Sequence, residues 1–210
     1  VRGQNNVQGA CDMGVLPNMF PGYQSVTDEG IRQKFAQAWH IPVEKLDPQV
    51  GYRITEVPHL AIEGKVKAYY IMGEDPLQTE ADLGLVRKGF QALDFIVVQD
   101  IFMTKTAEQA DVILPSTSWG EHGGIFTCAD RGFQRFEQAV QARGNVKRDW
   151  EIISLLATAM GYPMSYTDNE EIWHEVRALC PLFFGATYEK LAGLAHIQWP
   201  CPELDHPGTP

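Results

Sequence analysis

Three short apolar runs, Ala68–Met72, Phe95–Val98 and Val112–Leu114, constrain the fold of this chain most, because each stops abruptly in polar residues. Continuous runs this short read as strands buried on both faces of a parallel sheet, since a strand with one wet face would alternate. Between the first two lies LQTEADLGLVRKGFQA, where Thr79 can cap a helix with Asp82 three residues on. Leu83, Val86 and Phe90 then recur at helical spacing. The pattern predicts a βαβ crossover, right-handed by the usual rule, with a third strand after a short TKTAEQA turn.

In open α/β sheets, ligands bind beyond the carboxyl ends of the strands. Here those ends carry Gly73-Glu74-Asp75-Pro76, Gln99-Asp100, and the run from Ser116 to Gly124 that contains Glu121 and His122. The first loop is neither a G-x-G-x-x-G turn nor a phosphate loop ending in Gly-Lys-Ser/Thr. Its two carboxylates would repel a pyrophosphate laid against them. They match hydrogen-bond donors instead, such as ribose hydroxyls or the N1–H and N2–H₂ edge of a guanine. The sheet therefore points to a nucleotide site read at its base and sugar end. Phosphates would be left to backbone N–H groups at helix starts and at the Gly123-Gly124 turn. Asp75 and Asp100 equally suit helix caps, and spacing alone does not choose between the two roles.

Elsewhere the pattern is simpler. Residues 1–26 are rich in Gly, Asn and Pro and read mostly as loop. Thr27 can cap a helix through Ala38, and Thr55 a short helix that ends at Gly64. Two extended runs flank Asp130-Arg131-Gly132, a hairpin with Gly at its turn, and Gly144 closes that excursion. Asp149 begins a helix through Met160 with Ile152, Ile153, Leu156 and Ala157 inward and Gly161 as its stop. Asp168-x-x-Glu171 opens another that ends before Pro181. The Pro-rich tail from Pro200 reads as frayed or as a linker.

At 210 residues with 44% hydrophobic content, the chain is one sizeable domain or one domain plus an appendage. No apolar run approaches the ~20 residues that span a bilayer, which argues against direct membrane insertion. A net charge of −10 argues against nucleic acid as a partner. The four cysteines include no C-x-x-C pair and form no iron–sulfur or zinc motif, so no metal ligand is assigned. Scattered free cysteines fit a reducing compartment, hence a cytoplasmic location, although export of a parent protein stays open.

Several blocks taken together resemble one known family. They are R-G-Q-N-N-V-Q-G-A-C-D-M-G at Arg2–Gly14, Y-I-M-G-E-D-P-L-Q-T at Tyr70–Thr79, and the run from Val98 to His122. The likeness continues through F-T-C-A-D-R-G-F-Q-R-F (Phe126–Phe136), D-W-E-I-I-S (Asp149–Ser154), M-G-Y-P-M (Met160–Met164) and I-Q-W-P-C (Ile197–Cys201). In these blocks the chain resembles the catalytic (alpha) chains of formate dehydrogenases, which are oxidoreductases of anaerobic metabolism. Those belong to the molybdenum or tungsten bis(molybdopterin guanine dinucleotide) enzymes. The resemblance implies an α/β fold of the formate dehydrogenase/DMSO reductase type. That is a parallel-sheet, Rossmann-like βαβ domain with a small β-hairpin appendage. It implies residues 1–116 and 146–199 as the dinucleotide-binding domain and 200–210 as a linker. Residues 117–145 would be a hairpin that packs on an iron–sulfur domain, leaving Ile125, Phe126, Phe133 and Phe136 as interface.

Family members are several times longer and carry a 4Fe-4S cluster and a metal-ligating selenocysteine or cysteine, neither of which has a counterpart here. The chain opens within a motif and is expected to be an internal fragment, inactive and without cofactor when isolated. Its partners would be the remaining domains of the same chain and the electron-transfer subunits of a formate-oxidising complex. By resemblance, Arg2 is the arginine near metal and formate, and its fork suits a carboxylate. Gln4 would bond the pterin. Gly73, Glu74 and Asp75 would line the nucleotide loop, with Gln99 and Asp100 facing the guanosine. Thr104, His122 and Asp149 are further cofactor contacts, although Asp149 equally suits a helix start. The corresponding domain of a nitrate reductase-like enzyme, or a nucleotide-binding assembly module without catalysis, remains the alternative. A nicotinamide dehydrogenase lacks its glycine fingerprint here. A serine hydrolase built on Ser116 or Ser118 with His122 and Asp130 lacks a nucleophile elbow.

Overall fold

The computed structural model describes residues 3–209. In chain order the helices are α1 (Val7–Asp12), α2 (Glu29–Ala38), α3 (Val57–Ile62), α4 (Pro76–Thr79), α5 (Leu83–Gln91), α6 (Asp149–Ala159) and α7 (Asn169–Leu179). The strands are β1 (Met19–Phe20), β2 (Gln24–Ser25), β3 (Ala68–Met72), β4 (Phe95–Asp100), β5 (Val112–Pro115), β6 (Gly124–Thr127), β7 (Gly132–Phe136) and β8 (His196–Gln198). The chain divides into two compact units. One comprises Val1–Gly51, Gly123–Glu137 and Tyr166–Pro210, the other Tyr52–His122 and Gln138–Ser165. Helix α6 thus goes with the parallel strands, whereas α7 and the C-terminal segment go with the hairpin.

In the Tyr52–Ser165 unit, the three apolar runs form a parallel sheet in the order β3-β4-β5, with Tyr70 opposite Val97 and Val97 opposite Val112. The crossover between β3 and β4 carries α4 and α5. Ile71, Ile96 and Val98 face Leu77, Val86, Phe90 and Ala107, forming this unit's core. The close seating of α3 on α5 depends on Gly89, where an added Cβ would lie 2.6 Å from Pro58 Cα.

Burial on both sheet faces is not what the structure shows. Tyr70, Met72 and Phe95 are 41%, 50% and 45% exposed, and β3 alternates. Only the central strand is nearly continuous in its burial, because β3 and β5 are edges and the crossover helices cover one face.

Helix boundaries also moved. Asp82 caps α5, its carboxylate accepting from Leu85 N at 3.0 Å, while Thr79 ends α4. Pro76 starts that additional turn, since its fixed φ and missing N–H suit the first helical position. Likewise Asp28, not Thr27, caps α2 through Ile31 N at 3.0 Å, and Thr55 caps nothing ahead of α3, although Gly64 at φ +72° does close it. Helix α6 starts at Asp149 and stops before Gly161 at φ +90°, but Leu156 is 39% exposed instead of inward.

In the other unit, β6, β7 and β8 form an antiparallel sheet. Phe133 on β7 is fully buried against Trp173, Phe183, Leu191 and Ile197, with Ile125 packed on the same cluster. The assignment of these two residues to an external interface is therefore corrected: they build the unit's own core. Phe126 and Phe136 stack at 4.2 Å. The hairpin turn places Arg131, not Gly132, in the left-handed region (φ +72°), and the Asp130 carboxylate accepts Gly132 N at 3.0 Å. Asp168 caps α7 through Glu171 N at 2.9 Å, while the Glu171 side chain reaches Thr167 N at 2.7 Å.

The two terminal stretches are more ordered than their composition implies. The C-terminal segment is packed up to Thr209: Cys201 is fully buried, and Thr209 N donates to Gln198 O at 2.9 Å. Within the Arg2–Gly14 motif the structure forms α1. Asn6, at φ +54°, accepts Thr127 N at 3.0 Å through its side chain. The buried Asp12 carboxylate accepts from Gln8 Nε2 at 2.7 Å and from Trp199 Nε1 at 2.8 Å. Burial raises the Asp12 pKa, and these two donors oppose that rise.

Candidate functional site

Parallel pairing brings the polar ends of β3, β4 and β5 side by side, because Met72 lies opposite Gln99 and Asp100 opposite Pro115. At the end of β3, Gly73 sits at φ +63° with open space where a Cβ would project, so a ligand can approach the backbone there. Its N–H donates to Gln99 O at 2.9 Å, which ties the first loop to the central strand.

The carboxylates of that loop are partly committed. Glu74 accepts from the Thr79 hydroxyl at 2.7 Å. Asp75 Oδ1 accepts from Thr106 N at 3.0 Å and from the Thr106 hydroxyl at 2.6 Å. Thr106 Oγ1 in turn accepts Leu77 N at 3.1 Å, so a residue from the β4–β5 connection caps α4. Asp100 Oδ1 accepts Phe102 N at 2.9 Å, closing a tight turn, and Thr104 Oγ1 accepts Ala107 N at 3.0 Å. Each of these carboxylates keeps an oxygen outside these bonds, so fold-holding and ligand-binding are compatible.

A second group forms around Gln99, which is fully buried. Its amide oxygen accepts from the Tyr70 hydroxyl, and its Nε2 donates to Asp149 Oδ1 at 2.6 Å. His122 stands within electrostatic reach of Asp149, and its Nδ1 lies 3.2 Å from the Thr117 hydroxyl. Burial lowers the His122 pKa, more than the Asp149 carboxylate raises it, which leaves the imidazole neutral near pH 7. Tyr70 and Thr106 were not among the residues singled out from sequence. Tyr70 could have been found, because two positions before Met72 it shares the strand face that carries Gln99. No periodicity marks Thr106.

The neutral His122 has a measurable consequence. A histidine whose folded pKa is depressed contributes stability that is present above its unfolded pKa of about 6.5 and lost as pH falls through the folded value. Denaturant titrations between pH 7.5 and 5 should therefore show a shallower loss of stability in His122→Gln than in the unsubstituted chain. Parallel pH profiles would remove this role.

Gln4 lies exposed ahead of α1, in the other unit, and Arg2 lies outside the described residues. The remaining candidates, Gly73, Glu74, Asp75, Gln99, Asp100, Thr104, His122 and Asp149, all lie in the unit of the parallel sheet. Among the described residues, no three His, Cys, Asp or Glu side chains gather as metal ligands.

A family model for molybdopterin oxidoreductases matches residues 2–159. The chain belongs to that family. It is 65% identical to formate dehydrogenase H of Escherichia coli over 96% of its own length and 28% of that protein's. It is 44% identical to the alpha subunit of a formate dehydrogenase from Methanococcus maripaludis, covering 30% of it. The chain thus spans under a third of the length of these relatives. Among solved structures, acetylene hydratase from Pelobacter acetylenicus shares the fold with a TM-score of 0.60 at 20% identity, over 80% of this chain and 24% of that one.

Membership of this family implies a molybdopterin cofactor. The carboxylates that follow β3 and end β4 could accept from hydroxyl or amino donors of such a group, and the Gly73 backbone has open space beside it. No helix among the described residues is long and apolar enough to cross a membrane.

Proposed function

We propose that this chain is part of a formate dehydrogenase that oxidises formate to carbon dioxide, and that it forms one wall of a bis(molybdopterin guanine dinucleotide) site. The observation that carries the reading is the 65% identity, over nearly the whole chain, to a protein named formate dehydrogenase H. Glu74, Asp75, Asp100 and Asp149 accept from the guanosine hydroxyls and base edge, the Gly73 backbone lies against the sugar or phosphate, and Gln4 bonds the pterin. Thr104 and His122 complete the wall, the latter as a neutral imidazole. Arg2 meets the formate carboxylate with both of its terminal nitrogens. When bound, the molybdenum or tungsten cofactor supplies the two-electron chemistry that turns formate into carbon dioxide and a proton.

The metal ligand and a 4Fe-4S cluster belong to other parts of a full-length protein, and electrons leave through partner subunits. The hairpin of residues 117–145 lies towards the cluster-bearing domain, with Phe126 and Phe136 on that side. Free cysteines throughout the chain suit a cytoplasmic enzyme.

Two measurements test the reading. The full-length enzyme should reduce a viologen dye when given formate and should not couple nitrate reduction to it. Nitrate turnover without formate oxidation would move the assignment to the nitrate reductase branch, and neither activity would leave an assembly module. At the level of the site, calorimetry should show that this chain binds GDP in preference to ADP, and that Asp100→Ala weakens GDP by about tenfold. Equal binding of the two nucleotides would remove the guanosine from the sheet edge.

A further inference from the structure

On the helix-covered side of the parallel sheet, α5 and the connection from β4 to β5 enclose an open hollow of about 360 Å³. Leu77, Phe90 and Ile96 form its floor, each less than a tenth exposed. Arg87 reaches it from α5, three positions before Phe90 and so on the same helix face. Lys105 and Glu108 reach it from the connection, and all three charged residues are exposed. Side chains alternate along a strand, so Ile96 and Gln99 of β4 point to opposite faces of the sheet. The hollow therefore lies across the sheet from the group around Gln99.

Arg87, Lys105 and Glu108 make no ion pair and no side-chain hydrogen bond among the described residues. Lys105 and Glu108 remain unpaired although they stand only three positions apart. Scarcity of carboxylates is not the reason, since the chain has 27 Asp and Glu against 17 Lys and Arg. An unpaired surface cation is ordinary when water solvates it. Two cations and one carboxylate around a single apolar floor are a more selective set. A simple carboxylate would be drawn by Arg87 and Lys105 but would face Glu108, and a simple amine would meet two like charges. A molecule that carries both a carboxylate and an ammonium leaves no charge opposed. Small-molecule hollows run from about 300 to about 1,000 Å³, so this one takes a ligand at the small end of that range.

We propose that the hollow binds a free α-amino acid with an apolar side chain. Its carboxylate meets the Arg87 fork and the Lys105 ammonium, its own ammonium meets Glu108, and its side chain lies on Leu77, Phe90 and Ile96. The site is separate from the nucleotide reading of the strand ends and stands or falls without it. Because the charged groups are exposed, binding is weak, with a dissociation constant on the order of 1 mM.

Saturation-transfer difference NMR on the full-length enzyme tests this, with L-leucine as the probe. Isocaproate, which lacks the ammonium, and isopentylamine, which lacks the carboxylate, are the controls. Leucine should bind, and each control should bind about tenfold more weakly. Arg87→Gln and Glu108→Gln should each raise the leucine dissociation constant about fivefold with thermal unfolding unchanged, as expected for exposed charges. Glu108→Gln should also bind isocaproate more tightly than the unsubstituted enzyme does, a gain that general damage to the fold would not produce. Should Arg87→Gln fail to fold, Lys105→Gln measures the same carboxylate contact. Leucine that does not bind at about ten times the expected dissociation constant would overturn the proposal. So would leucine binding that neither Arg87→Gln nor Glu108→Gln weakens, because the amino acid would then sit elsewhere. Isocaproate binding as tight as that of leucine would overturn the assignment of a ligand with both charges.

Discussion

Phe133→Ala should lower the unfolding free energy by about 3–5 kcal/mol, the range for removing a fully buried aromatic ring from a core that cannot close over the gap. The ring meets Trp173 edge-on at 5.0 Å and Phe183 at 5.1 Å, and is fully buried. Its backbone is paired on both sides, with Thr127 on β6 and Ile197 on β8, so the strand cannot slide to fill the space. For a chain of this size the loss corresponds to a fall in Tm of roughly 10 °C. Urea unfolding of the chain and of Phe133→Ala, with equal m-values, measures the difference. The experiment also decides between the two readings of the hairpin. If Phe133 faced an absent domain, as the aromatic-rich hairpin suggested in sequence, its truncation would change stability by less than about 0.5 kcal/mol. A change that small would contradict the packing described above.

The parallel strands, their order in the chain and the polar strand ends were legible because backbone periodicity and the rule for ligand position both act locally. What the pattern could not show was how much of each strand face finds a cover. A continuous apolar run implies two covered faces only if helices lie on both sides. Here the crossover helices cover one, and Tyr70 and Met72 are left half open. Caps erred by one to three residues for a similar reason. Thr27 and Asp28 are both competent, as are Thr79 and Asp82, and in each pair it is the Asp carboxylate that accepts the helix N–H. At the hairpin, glycine seemed the natural left-handed residue, yet Arg131 takes that position, because the Asp130 carboxylate fixes the turn by accepting Gly132 N.

For the site, residue types were readable and their partners were not. Carboxylates at strand ends stand out in a sequence, since they argue against a phosphate and for a donor-rich ligand. Whether a given carboxylate is free to meet that ligand depends on neighbours far along the chain. Asp75 is half engaged by Thr106, thirty-one positions later, and Asp149 is held by Gln99 across fifty positions. Of the two roles open to Asp75 in sequence, helix support and ligand contact, the structure shows the first, and it occupies one oxygen. Oδ1 takes Thr106, and through Thr106 supports α4, while Oδ2 makes no such bond.

Arg2→Ala, made in the full-length enzyme, should lower kcat/KM for formate by about 10²–10³-fold, the range for removing one well-placed charged or polar group that stabilises developing charge. Formate offers nothing but a carboxylate for recognition, so a guanidinium that holds both oxygens sets position and charge at once. The segment that follows Arg2 is well anchored. Asn6 holds Thr127 N, and Asp12 at the end of α1 holds Gln8 and Trp199. Arg2→Lys should recover only part of the loss, because an ammonium supplies charge without the planar fork. Metal and pterin content, measured on the same preparations, should stay at the unsubstituted level, which separates a substrate role from failure to load the cofactor. Formate oxidation at full rate in Arg2→Ala would take Arg2 out of the mechanism and shift the binding of formate to groups outside this chain.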